Sequence, residues 1–207
     1  MTDAPDAMQR GAQPPVKKSG GCMSPGFACF TFLVGALLLA AIAIPSMIGP
    51  SRIIPNETAA VAALKTYLVA QQAFIRGDLD GDGVKNACGP ANAKCPDFTH
   101  LHSAAGADGQ PVRLIPANMA AAKLGAAGAT PRAGYWFADI AAGADGRPYD
   151  PKTGYGLCAV PAKYDETGRM TFVVDSSGTV WQKDTGGRPV SQFPGLGDPG
   201  SGWEAYE

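Results

Sequence analysis

A chain of 207 residues with 45% hydrophobic and 17% charged side chains holds one domain of ordinary size plus an appendage, not two large domains. Lys+Arg 17 against Asp+Glu 18 gives a net charge of −1, so there is no electrostatic footprint for a nucleic-acid partner. Gly 27 and Pro 18, about 22% of the chain, demand many turns, and the composition excludes a coiled coil, a collagen-like repeat and a polytopic membrane protein.

Residues 1–25 are rich in Pro, Gly and polar side chains and are expected to be a disordered tail. No charged residue then occurs between Lys18 and Arg52, and Phe27 to Ile48 is apolar enough and long enough to cross a bilayer, which takes about 20 residues. Arg10, Lys17 and Lys18 precede this run and Arg52 follows it, a bias that keeps the N-terminus in the cytoplasm. The run is longer than the apolar core of a cleaved signal peptide and ends in Pro-Ser-Met-Ile-Gly-Pro, not in a small-residue cleavage site. The expected organisation is therefore a cytoplasmic tail over 1–25, a transmembrane helix over 26–49 and an extracytoplasmic domain over 50–207.

Within that domain, Asn56 after Pro55 reads as a helix cap, and Val61, Leu64, Leu68 and Ile75 recur at near-helical spacing, predicting an amphipathic helix over 57–76 ended by Gly77. A loop rich in Asp, Gly and Asn follows over 77–97. Phe98 to Ala104 and Pro116 to Leu124 are weakly helical. Tyr135–Phe137, Gly156–Val160, Thr171–Val174 and Thr179–Lys183 are short, aromatic or β-branched, and read as antiparallel strands, with Asp175 to Gly178 as a hairpin turn. From Gly186 on, the Gly/Pro-rich tail reads as coil. Helices first and strands later make an α+β domain.

That order resembles the plan of type IV pilins and of type II secretion pseudopilins. Ala40-Ala41-Ile42-Ala43-Ile44-Pro45 resembles the end of a pilin membrane helix, and Asn56-Glu57-Thr58-Ala59-Ala60-Val61, Leu64 and Ala70-Gln71-Gln72 resemble the amphipathic half of a pseudopilin helix. Arg76 to Val84, Gly134 to Phe137, Tyr155 to Ala162, Thr167 to Asp175 and Val180 to Asp184 resemble a family of pilin-like bacterial envelope proteins that carries no activity to transfer. The resemblance implies a helix packed on an antiparallel sheet, a single-pass protein of the bacterial inner membrane with its C-terminal domain periplasmic or extracellular, and a structural role through self-assembly or other pilin-like subunits. Gly26-Phe27 could be a prepilin processing site, but Thr31 stands where such a site carries glutamate, and Pro45 comes about three residues early. A permanently anchored binding or sensor module is the alternative.

The sharpest local chemistry is Asp78-x-Asp80-x-Asp82-Gly83. Carboxylates at positions 1, 3 and 5 with glycine at 6 are the start of a calcium loop; the Val84 carbonyl and Asn86 fall at positions 7 and 9. Gly89 occupies position 12, so the bidentate glutamate is missing, and a bound Ca²⁺ would be structural and weak, with Asp97, another loop or water completing it. The competing reading is a solvated turn. Cys88 and Cys95 close a short loop after the Asp run and are expected to form a disulfide in an oxidising compartment. Cys158 is left over in a strand as a buried thiol, or pairs in its turn; Cys22 and Cys29 should stay reduced. His100 and His102 sit in a short helix without further metal ligands. No catalytic motif is present, so no enzymatic activity is expected.

Overall fold

The structure is a computed structural model, and it describes residues 52–106, 108–195 and 201–207. The tail over 1–25, the apolar run over 26–49 with Gly26, Phe27 and Cys29, and Cys22 lie outside the described residues. Among the described residues, no helix is long and apolar enough to cross a membrane.

The amphipathic pattern forms helix α1, Ile53–Gly77. It buries Ala60, Val61, Ala63, Leu64, Tyr67, Leu68, Ala70, Gln71 and Phe74, a stripe recurring every three to four residues. Its first turn differs from the expectation. Arg52 is the N-cap and makes no side-chain cap bond, so Pro55 lies inside the first turn, where its missing N–H costs nothing. The Asn56 side chain instead donates to the Thr167 carbonyl at 2.8 Å. At the other end Asp78, with φ 46°, takes up the left-handed conformation that stops the helix.

Two single-turn helices follow, α2 (His100–Ser103) and α3 (Ala117–Ala120). The chain then runs through β1 (Tyr135–Asp139), β2 (Gly156–Pro161), β3 (Thr171–Asp175), β4 (Val180–Lys183) and β5 (Glu204–Ala205). These pair in sequence order as an antiparallel five-stranded meander, with Trp136 opposite Val160, Leu157 opposite Val174 and Val173 opposite Trp181. The turn between β3 and β4 is the expected one. Gly178 has φ 89°, and Asp175 Oδ1 accepts the Ser177 N–H at 2.9 Å. β5 was not expected. Two residues of the tail pair with β4, Tyr206 N–H bonds to the Val180 carbonyl at 2.9 Å, and the Tyr206 ring meets Phe172 edge-on at 5.8 Å.

Strand alternation divides the sheet into two covered faces. Tyr135, Phe137, Leu157, Ala159, Phe172, Val174 and Val180 face α1 and share its core. Cys158 and Val173 point the other way and pack with Ile140, Phe193, Trp181 and Trp203. The segment that carries Phe193 is tied down by Ala141 N–H to Ser191 O at 2.9 Å and Phe193 N–H to Ala142 O at 2.8 Å. β2 is accordingly buried along its whole length. The domain is α+β: one long helix packed on an antiparallel sheet.

Cys88 and Cys95 form the expected disulfide, with Cα atoms 4.7 Å apart. A loop of this size contributes about 2–3 kcal/mol by limiting the unfolded chain. Asn92 organises its interior: Oδ1 accepts the N–H groups of Lys94 (2.9 Å) and Cys95 (3.1 Å), and Nδ2 donates to Ala87 O (3.1 Å). Cys158 is the free cysteine among the described residues. Burial pushes its thiol up to about 12, so it stays protonated and acts as a small apolar side chain.

Candidate functional site

The Asp-rich loop leaves the C-terminal end of α1 and runs to the disulfide. Its tight path needs three left-handed residues, Asp78 (φ 46°), Gly81 (φ 64°) and Gly83 (φ 76°). Gly81 N–H returns to Asp78 O at 2.9 Å, Gly83 N–H to Asp78 Oδ2 at 3.0 Å and Val84 N–H to Asp82 Oδ1 at 2.7 Å. These bonds draw three carboxylates inward. One oxygen from each of Asp78, Asp80 and Asp82 lies within 4.8 Å of the other two. Asp78 Oδ1 and both oxygens of Asp80 are shielded from solvent and have no hydrogen-bond partner.

This arrangement is electrostatically unfavourable by itself. Burial and then the charge of Asp82 raise the Asp80 carboxyl above its ordinary range. The Asn92 amide works against that rise, but it donates to Asn86 Oδ1 at 3.0 Å and to Ala87 O. Of the five expected ligands, the three aspartates therefore come together. Val84 adjoins them through its N–H, and the Asn86 side-chain oxygen is committed to Asn92. Asp97, weighed from the sequence as a completing ligand, is committed elsewhere: it pairs with Lys123 Nζ at 2.7 Å.

That pairing belongs to a second group of polar side chains at the end of β1. Asp97 also accepts the Thr99 N–H at 2.8 Å and stands 3.3 Å from His100 Nδ1. Burial alone would raise the Asp97 carboxyl, but the bonds from Lys123 and Thr99 outweigh it and hold it at about 2. Asp139, on β1, accepts the Phe98 N–H at 3.0 Å. Burial first, then the charge of Asp97, pushes the Asp139 carboxyl up to about 7. His102 Nδ1 contacts the Ile115 carbonyl at 2.9 Å, and the two imidazoles have separate partners.

The hollows near these groups are small or open. One between Tyr67, Cys88, Tyr149 and Gly156 holds about 10 Å³, room for a single water molecule. An open groove of about 470 Å³ runs along the solvent side of α1 past Ala62, Lys65, Val69, Ala73 and Leu114. Small-molecule sites usually enclose 300–1,000 Å³ in a concave, mostly buried cleft.

A family model, DUF2950, described as a protein of unknown function, matches residues 46–205. The chain belongs to the DUF2950 family. The match takes in the whole described domain up to β5, with both polar clusters and the disulfide. No curated protein and no solved structure matches the chain.

The two aspartates of the second cluster give pH dependences of opposite sign. Asp139 keeps its proton in the folded chain up to about pH 7 but in the unfolded chain only to about pH 4, so stability falls as pH rises through that window. Asp97 is held low, so its contribution is complete above pH 4 and is lost only as pH falls toward 2. Asp139→Asn keeps an oxygen for the Phe98 N–H and removes the charge. Urea unfolding should find this variant more stable than the parent by up to about 4 kcal/mol at pH 8, with the gap closing by pH 4. An equal gap at both pH values would contradict the assignment.

Proposed function

We propose that the protein is a pilin- or pseudopilin-like structural subunit of the bacterial envelope, anchored by a single membrane span at residues 26–49, with the domain over 50–207 outside the cytoplasm and no catalytic role. The observation that supports this reading most is the placement of α1. It starts immediately after a run with no charged residue between Lys18 and Arg52, and it lies along one face of an antiparallel meander. A helix that follows an apolar anchor in the sequence and packs on a small sheet is how such subunits combine a membrane segment and a folded domain. The disulfide suits an oxidising compartment. The polar groups in the domain serve loops and docking bonds, which suits a subunit recognised by its surface.

A C-terminal alkaline phosphatase fusion should be active and a C-terminal cytoplasmic reporter silent; the reverse pattern would overturn the topology. Edman sequencing of the mature protein separates two forms of the proposal. A chain starting at Phe27 is a processed subunit able to assemble, and an intact N-terminus is a permanently anchored module.

The second form has its own supporting observation, the enclosed and unpartnered oxygens of Asp80 between Asp78 and Asp82. In this reading a Ca²⁺ ion would neutralise the loop and stiffen the ectodomain that binds a partner or ligand. Two features argue for low affinity: Gly89 stands where a bidentate glutamate would be, and Asn86 is turned to Asn92. A ligand present at 100 times its Kd stabilises the folded state by about 2.7 kcal/mol. Thermal melts of the full chain in detergent with millimolar CaCl₂ or with EGTA should differ, and the difference should vanish in Asp80→Ala. Superimposed melts would leave the loop as a solvated turn.

A further inference from the structure

We propose that the outer face of α1 is the docking site of a second polypeptide, an acidic amphipathic helix that lays its apolar ridge in the groove beside Leu114 and sets carboxylates against Lys65 and Arg76. This goes beyond the structural reading above by giving the domain a partner, and it does not depend on the membrane span.

α1 is poor in charge for a helix with one side in water. Of its 25 residues only Glu57, Lys65 and Arg76 are charged. The side turned away from the core has an apolar stripe of its own, Ile54, Thr58, Ala62, Thr66, Val69 and Ala73, recurring every three to four residues. Ile54 is 73% and Val69 69% exposed. The two threonines do not make this stripe polar. Thr58 Oγ1 donates to Ile54 O at 3.0 Å and Thr66 Oγ1 to Ala62 O at 2.9 Å, so both hydroxyls are spent on the helix backbone. Single apolar side chains on a surface are ordinary. Here they line up, and Leu114 adds a second wall, so that the stripe is the floor of the open groove of about 470 Å³. A helix that is apolar on both sides is suited to being covered on both.

The charges select the occupant. Glu57 is turned to the sheet side, where its Oε1 accepts the N–H groups of Arg169 (2.9 Å) and Met170 (3.0 Å). The outer side of α1 therefore presents Lys65 and Arg76 and no carboxylate, and among the described residues neither cation is within ion-pair distance of an acid. The aspartates of the next loop lie past the helix end and converge on one another. An apolar floor with unpaired cations and no anion fits an amphipathic helix whose ridge is flanked by Asp or Glu. A second copy of the chain fits poorly. Lys65 is the midpoint of Ile53–Gly77, so two α1 helices paired antiparallel about a twofold axis would set Lys65 against Lys65. A flat lipid surface would leave the groove unfilled.

The test is photo-crosslinking of the full chain in the cells that make it, with p-benzoylphenylalanine in place of Val69 and, as a control, in place of Ser177 in the turn between β3 and β4. Illumination should join residue 69, and not residue 177, to a peptide of another protein. Mass spectrometry of that peptide should read apolar residues at helical spacing with Asp or Glu beside them. Lys65→Glu in the same chain should lower the adduct about tenfold, while Lys65→Arg, which keeps the charge, should leave it in place. An adduct to a second copy, to lipid, to a peptide without acidic residues, or no adduct at all overturns the proposal. So does an adduct that Lys65→Glu leaves unchanged. None of these outcomes bears on the membrane span, which the reporter fusions test separately.

Discussion

The fold depends on one buried amide. Gln71 lies inside the core with no exposed surface, and its side chain pairs with the peptide groups of Cys88: Nε2 donates to the carbonyl at 2.5 Å and Oε1 accepts the N–H at 3.0 Å. The same Nε2 donates to Tyr67 OH at 2.9 Å, and that hydroxyl reaches Gly156 O on β2 at 3.3 Å. A helix packed only by alanine, valine and leucine could turn about its axis or slide along the sheet at little cost, because apolar contact has no direction. Gln71 removes that freedom. Its hydrogen bonds are satisfied in one rotation of α1 only, and leaving buried groups unpaired costs about 1–3 kcal/mol each.

Much of the rest follows from that fixed rotation. The loop after α1 begins at the helix end and is held again at Cys88, so Asp78, Asp80 and Asp82 have little room to separate. Burial, and then the charge of Asp139, raises the Tyr67 hydroxyl well above its ordinary range and keeps it neutral, while its hydrogen bonds with Gln71 and Gly156 hold it in place. At the opposite end Asn56 and Glu57 secure the helix to the 163–170 loop. The helix is a strut with polar fastenings at both ends and apolar contact between them.

The long-range order was legible in the sequence because it is written in periodicity. The stripe of Val61, Leu64 and Leu68, the short β-branched runs and the Asp175 to Gly178 turn placed the helix and four strands. The proximity of Cys88 and Cys95 placed the disulfide. The polar fastenings were not legible. Gln71 and its exposed neighbour Gln72 look alike in one dimension, and only packing makes the first a core residue. Asp139 lies at the end of a strand as an ordinary surface acid would, and Asn92 is one of several small polar residues in its loop. Asn56 has the residue type of a cap, but Pro55 fits the first turn well enough for the helix to start earlier. β5 has two residues, too few for a pattern, and it forms because Tyr206 finds Phe172. Of the Asp-rich loop, spacing gave the convergence of the carboxylates, whereas the turning of Asn86 toward Asn92 depends on a contact made six residues on.

The claim that most of this rests on is that Gln71 is the fastening between helix, loop and sheet. Urea unfolding of Gln71→Leu beside Gln72→Leu in the full chain tests it directly. Both replace an amide by a similar volume on the same helix. The account predicts a loss of about 3 kcal/mol for Gln71→Leu and less than about 0.5 kcal/mol for Gln72→Leu. Equal midpoints for the two variants would contradict it.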